Sequence, residues 1–290
     1  MDVQVQKVST NWEVMPKGLT YYFIGQPKTW KTSAASKWSD KGHEGVLLID
    51  TDLGGDFVDG ANVVTVTELR TPTRYAMKDG NPVMKDGEQV VEEVPNDERG
   101  YMYRSGPKIG QPMPVYSFTE VYQWLRKSWK DLPYDTIAID TIDRVNGWIE
   151  EIVVKELGIS VMGEGEWGTD WGRARKRSLD VVRKLQRFLK SKAADLILIS
   201  HSKTSAVTDG KVQLAPELPR GLGYALTAQA DVIGYSTIPK GSTEAHLSFV
   251  SYDERTIGSR LRPLFQKDLK FDYETIKNEM ITYQEEEEVS

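Results

Sequence analysis

Gly25-Gln26-Pro27-Lys28-Thr29-Trp30-Lys31-Thr32 follows the apolar run Leu19-Thr20-Tyr21-Tyr22-Phe23-Ile24 and leads into a segment, Lys31 to Lys41, that can be helical, with Gly42 as its stop. The octet fits the phosphate-binding loop G-x-x-x-x-G-K-[ST] at every place but one, where Trp30 stands for the second glycine. Such a loop wraps backbone N–H groups around phosphate oxygens at a helix N-terminus, whose dipole favours anions. Its lysine, here Lys31, reaches the β- and γ-phosphates, and its hydroxyl residue, here Thr32, ligates Mg²⁺. Gly25, Gln26, Pro27, Lys28, Thr29, Trp30, Lys31, Thr32 and Ser33 are therefore the candidate nucleotide-binding residues, with ATP and Mg²⁺ as the expected ligands. A glycine at position 30 would let the loop turn tightly around phosphate, so Trp30 is the point on which the match depends.

Working outward, apolar runs recur at intervals. Val46 to Asp50 and Leu196 to Ser200 are continuous apolar strands that suit a parallel sheet covered on both faces. Tyr134 to Asp140 is a strand ending in a carboxylate, and Val63 to Leu69 is a further candidate. Between them, Ser117-Phe118-Thr119-Glu120 is a capping-box signature that opens a helix. Helices are also expected over about 144–157 and 173–192. Later strands are expected around Asp231–Ile238 and Ala245–Tyr252. Alternation of strand and helix predicts a three-layer α/β/α sandwich with a mainly parallel central sheet.

Residues 70–116 break this rhythm. Pro72, Pro82, Pro95, Pro107, Pro112 and Pro114 fall there, and Met-Lys-Asp-Gly occurs twice, at 77–80 and 84–87. Asp-Gly pairs favour tight hairpins, so this stretch reads as a hairpin-bearing surface insertion. The expected organisation is an N-terminal arm over 1–18, a nucleotide-binding domain over 19–270 carrying the insertion, and a C-terminal helix with an acidic tail over 271–290.

Composition narrows the class. The 290 residues are 39% apolar and 28% charged, with no cysteine, which excludes disulfides and cysteine-bearing metal sites and fits a cytoplasmic setting. His43, His201 and His246 show no zinc spacing. No apolar run approaches the ~18 residues that span a bilayer, and the segment 1–17 lacks the apolar core of a secretory signal. The net charge of −6 gives no global attraction for nucleic acid, which leaves local basic patches.

Ligands in open parallel sheets bind at the carboxyl ends of the strands. The phosphate loop, Asp50 and Asp52, Asp140 and His201 all lie just after apolar strands. Thr136-Ile137-Ala138-Ile139-Asp140 has a Walker B pattern, expected beside the phosphate-loop strand, with Asp140 holding the metal together with Thr32. Asp52 is the candidate base that polarises the attacking water, Asp50 the residue that holds the turn, and His201 the candidate sensor of the γ-phosphate. Lys31, Asp52 and His201 make the candidate catalytic set.

Ile49-Asp50-Thr51-Asp52, Ile139-Asp140-Thr141 and Ile199-Ser200-His201 resemble, in order and spacing, the core of RecA-type recombinase ATPases. The chain is more closely similar to compact phage-encoded RecA-like ATPases, AAA-type nucleotide-binding proteins that include single-strand annealing proteins. They share a Pro-Lys phosphate loop like Gln26-Pro27-Lys28, an Asp-Thr-Ile-Asp Walker B like Asp140–Asp143, and a sensor like Ser200-His201. The resemblance spans about 19–265 without the insertion. It implies a RecA-like P-loop NTPase core and ATP hydrolysis coupled to single-stranded DNA in recombination, annealing or replication. It also implies self-association into a ring or filament, a single-strand DNA-binding protein as a further candidate partner, and the cytoplasm of a host bacterium as the location. Trp30, Asp52 in place of the family's Glu, and the insertion depart from the pattern. They point to slow turnover, or to a nucleotide-gated accessory module with little hydrolysis. A small-molecule P-loop kinase is the weaker alternative.

By position in that family, the loop Ser202 to Gly223 touches DNA, with Lys203, Lys211 and Arg220 as candidate contacts. Trp167 and Trp171, in a glycine-rich loop over 158–172, are candidate stacking platforms, and the basic helix 173–192 could follow phosphates. Arg255, Arg260 and Arg262 are candidates to act in trans on a neighbouring subunit's γ-phosphate.

Overall fold

The computed structural model describes residues 15–206, 212–251 and 257–289. Apart from the short hairpin strands of the insertion, its strands are β1 (Thr20–Gly25), β2 (Val46–Asp50), β3 (Asn62–Glu68), β4 (Tyr116–Ser117), β5 (Thr136–Asp140), β6 (Asp195–Ala206), β7 (Val212–Pro216), β8 (Val232–Thr237), β9 (His246–Ser248), β10 (Gly258–Ser259) and β11 (Asp268–Lys270). The helices are α1 (Lys31–Ala35), α2 (Phe118–Ser128), α3 (Ile142–Leu157), α4 (Thr169–Lys190), α5 (Arg220–Gln229) and α6 (Tyr273–Val289). No helix among the described residues is long and apolar enough to cross a membrane.

All eleven strands join one sheet in the order β4-β3-β2-β5-β6-β1-β8-β9-β11, with β7 and β10 paired off that path to β6 and β8. Pairing is parallel from β4 to β8 and antiparallel beyond. Both faces are covered, as the continuous apolar strands require. Tyr22, Ile24, Ile49, Ile139 and Leu198 pack against helices α2 to α5. Tyr21, Phe23, Leu48, Ala138 and Ile199 pack against Trp38 and, from the C-terminal segment, Phe271, Tyr273, Ile276 and Met280. The result is the expected α/β P-loop NTPase fold with a mostly parallel sheet.

Several expectations need correction. The Walker B strand β5 does not lie beside the phosphate-loop strand β1. The His201 strand β6 intervenes, with Gly25 opposite His201 on one side and Asp140 opposite Ile199 on the other. The helix after the loop ends at Ala35 rather than Lys41. Trp38 must turn inward to pack edge-on at 4.8 Å from Phe23 and 5.4 Å from Tyr21, and tight turns over Ser36–Ser39 allow this. Trp171 lies within the first turn of α4 and not in the preceding loop. The segment after the sensor is not a plain loop: Ser202–Ala206 pairs antiparallel with Val212–Pro216 as a hairpin, and α5 starts at Arg220.

The insertion forms hairpins, and the Met-Lys-Asp-Gly duplication extends to Met-Lys-Asp-Gly-x-x-Val at 77–83 and 84–90. Asp79-Gly80 and Asp86-Gly87 take positive φ (50° and 79°, 52° and 85°), which two-residue hairpin turns require. Ala76, Val83 and Val90 close a ring of backbone bonds, each amide donating to the carbonyl of another at 2.8–2.9 Å. Arg99 anchors the insertion to the capping box of α2 through both oxygens of Glu120, at 2.9 and 3.0 Å.

Candidate nucleotide-binding site

Gly25 ends β1 where that strand runs hard against β8. A Cβ there would sit 2.6 Å from the Ser236 carbonyl oxygen, so only glycine fits. The loop that follows is tied from both ends: Thr29 Oγ1 donates to the Gln26 carbonyl at 2.8 Å, and Ser236 Oγ donates to the Thr29 carbonyl at 2.7 Å. These ties carry Lys28 and Trp30 into left-handed backbone, φ 64° and 62°. For an L-residue that conformation costs about 1–2 kcal/mol. Trp30 thus adopts the turn a glycine would supply, and its ring remains 57% exposed at the mouth of the cleft.

Lys31 is buried, and its Nζ donates to the Gly25 and Gln26 carbonyls at 2.9 and 2.7 Å. Burial lowers its pKa, while Asp140 and Asp143 oppose that shift. Thr32 Oγ1 donates to Asp140 Oδ2 at 2.5 Å. Burial pushes the Asp140 carboxyl up to about 6; the nearby Asp50 and Asp52 add to the rise, and Thr32 and Lys31 restrain it. One carboxylate and one hydroxyl side by side are hard oxygen donors that fit Mg²⁺, which takes its other ligands from water and phosphate. Among the described residues no cluster of three or more His, Cys, Asp or Glu side chains could hold a metal.

The two acids after β2 differ. Asp50 is buried and accepts from the amides of Asp52, Gly54 and Gly55 at 3.2, 3.1 and 2.8 Å, so it holds the turn. Asp52 is exposed, and its Oδ2 accepts from Thr141 Oγ1 at 3.1 Å. Thr141 in turn is clamped to Thr51, whose Oγ1 accepts from the Thr141 amide at 2.8 Å and donates to the Thr141 carbonyl at 3.1 Å.

His201 faces the same edge. Its amide donates to Asp143 Oδ2 at 2.7 Å, its Nδ1 lies 3.3 Å from that oxygen, and Ser200 Oγ donates to Asp143 Oδ1. The hydrogen bond to Asp143 raises the imidazole pKa, against burial. Sequence reasoning named Asp143 only as part of the Walker B tetrad and missed its role as the partner of His201. The available signal was its place in the first turn of the helix that follows Asp140.

These elements meet around a cleft of about 350 Å³ lined by Lys28–Ser33, Gly54, Phe57, Val58, Asp140 and His201. Asp52 lies outside that lining. A larger cavity of about 840 Å³, between the insertion and β3, contains no predicted catalytic residue, so size does not mark the site here.

The remaining predicted residues are dispersed. Lys203 Nζ donates to the Leu218 carbonyl at 2.6 Å, closing its own segment. Arg220 is exposed at the start of α5. Arg260 bonds Asp231 and the Ala228 carbonyl at 3.0 and 3.1 Å, at the amino edge of the sheet. Arg262 is exposed and opens the short turn Arg262–Leu264. Lys211 and Arg255 lie outside the described residues.

Comparison with curated protein sequences finds no match. A family model described as AAA domain matches residues 17–261, a span that runs from the strand entering the phosphate loop to the strands beyond His201. With its phosphate loop, Walker B carboxylate and parallel sheet, the chain belongs to this AAA domain family of P-loop nucleotide-binding proteins.

Proposed function

We propose that the protein binds and hydrolyses ATP and couples this to single-stranded DNA, as a RecA-like protein of the phage-encoded recombination, annealing or replication group. The observation that carries the nucleotide reading is the meeting of Lys31, Thr32, Asp140 and His201 around one cleft. Lys31 would leave the Gly25 and Gln26 carbonyls for the β/γ-phosphates, and the loop amides would hold the remaining phosphate oxygens. Mg²⁺, held by Thr32 and Asp140, would neutralise phosphate charge. Asp52, oriented by Thr141, would take the proton of the attacking water as ADP leaves. His201 would pass the state of the γ-phosphate to the β6–β7 hairpin that it begins. Self-association into a ring or filament, with an arginine supplied in trans, and a single-strand DNA-binding protein as a companion belong to the same reading, as does the cytoplasm of a host bacterium.

One observation favours a second reading, a nucleotide-gated module with little hydrolysis: Asp52 is exposed and stands outside the cleft lining. An ATPase assay with and without single-stranded DNA, with Lys31→Ala as control, separates the two. Turnover stimulated by DNA and lost in Lys31→Ala supports the first. Tight ATP binding without turnover in either condition supports the second.

A further inference from the structure

We propose that the groove between α2 and α4 binds the phosphate backbone of single-stranded nucleic acid, a site separate from the β6–β7 hairpin; this rests on the single-stranded DNA reading above. The groove has a volume of about 450 Å³ and a rim of four cations, Arg70, Arg126, Arg177 and Lys184, against one carboxylate, Asp180. Arg70, Arg126 and Lys184 are exposed. No carboxylate among the described residues pairs with any of the three. Arg177 gives Nη2 to Glu156 at 2.5 Å, while its Nη1 is buried with no hydrogen-bond partner. One turn earlier on α4, Arg173 and Lys176 continue the positive surface past Asp180.

This concentration of cations stands out in a chain of net charge −6. Attraction for a polyanion must therefore be local, and in the groove four cations outnumber the single rim carboxylate Asp180, with Glu156 beside Arg177 and Arg70 as the further acid nearby. On the β6–β7 side, Lys203 is spent on the Leu218 carbonyl, which leaves Arg220 as the exposed cation among the described residues predicted there. The groove also holds an aromatic face: Arg126 lies 5.9 Å above the half-buried Tyr122 ring. Cations tracking the backbone beside an aromatic ring suit an unpaired strand, whose bases are free to stack.

The test measures binding of a fluorescent oligothymidylate to the full-length protein across a salt series. The proposal expects Arg126→Glu/Lys184→Glu to weaken binding at least tenfold and to flatten the dependence of log K on log salt by about one. ATP affinity and melting temperature should be unchanged in that variant, and Arg220→Glu should weaken DNA binding less than threefold. If Arg220→Glu abolishes binding while the groove variant binds like wild type, the groove proposal falls and the DNA reading stands. If wild type fails to bind the oligonucleotide even at low salt, the DNA reading itself falls. If a peptide of residues 280–290, which contains Glu285–Glu288, binds wild type but not the groove variant while the oligonucleotide binds neither, the groove receives the acidic segment of a second copy and the proposal is overturned.

Discussion

The amino edge of the parallel sheet carries Asp135, Asp195 and Asp231, each at or just before the first residue of a strand, and the carboxyl edge carries Asp50, Asp52 and Asp140 at or just after the last. At the amino edge the acids close the fold. Asp195 accepts from the Leu19 amide at 2.9 Å with Lys17 at 3.9 Å, Asp231 takes the Thr20 amide and Arg260 at 2.9 and 3.0 Å, and Asp135 lies 3.6 Å from Lys41. At the carboxyl edge Asp50 behaves in the same way, spending both oxygens on three backbone amides. Asp140, buried like Asp50 and Asp195, differs in meeting a single hydroxyl and in being crowded by two other acids. A strand-end carboxylate becomes structural when amides or cations of its own chain occupy its oxygens, and is available to a ligand when they do not.

The largest expected effect breaks the carboxyl edge. On the proposed function, Lys31→Ala should lower ATP turnover by at least about 100-fold, because it removes the charge that would meet the β/γ-phosphates. Phosphate release and ATP affinity measure this, and normal turnover in the variant would remove the functional half of the comparison.

The amino edge should respond in stability instead. Burial pushes Asp195 up to about 7, with the Leu19 amide and Lys17 opposing. The unfolded carboxyl ionises near 3.8. Between these values the native state keeps a proton that the unfolded state has released, so this group's contribution to stability falls as pH rises from about 4 to about 7, then levels off. Asp195→Asn should lose that slope and exceed wild type by up to about 3 kcal/mol at pH 8, with ATP turnover unchanged. Denaturant melts across pH check it, and an unaltered slope would mean that Asp195 is not the group responsible.

Asp143 sharpens the contrast, since it sits at the carboxyl edge yet is spent on Ser200 and His201. Asp143→Asn should return the His201 pKa toward its ordinary value and reduce kcat by about tenfold with little change in KM. NMR titration of the imidazole together with steady-state kinetics reads both. The smallest effect belongs to Trp30→Gly. It relieves a left-handed tryptophan but adds unfolded-state freedom, so stability should rise by no more than about 1 kcal/mol. A denaturation midpoint that falls would show that the exposed ring contributes packing.

Much of the carboxyl edge was legible in the chain because it depends on local order. Apolar runs mark strands, and a polar residue directly after each run must lie at a strand end. The phosphate loop could be read despite Trp30, since Gly25, Lys31 and Thr32 keep their spacing. The position of β6 between β1 and β5 was not legible, because crossovers and not local pattern choose a strand's neighbours. The early end of α1 was hidden too, since it follows from Trp38 meeting Tyr21 and Phe23 across the core. The commitment of Arg260 to Asp231 joins residues 29 apart and leaves no mark in either segment.

By itself the sequence determined where the buried strands run, where the phosphate loop begins, and that the insertion turns at its two Asp-Gly pairs, since each depends on residues adjacent in the chain. Only the tertiary structure decided that Asp50 holds a turn while Asp140 faces Thr32, that Asp143 belongs to His201, and that Trp30 accepts a glycine's conformation. Each of those outcomes depends on which donors, from segments distant in sequence, arrive within hydrogen-bond reach of the same atoms.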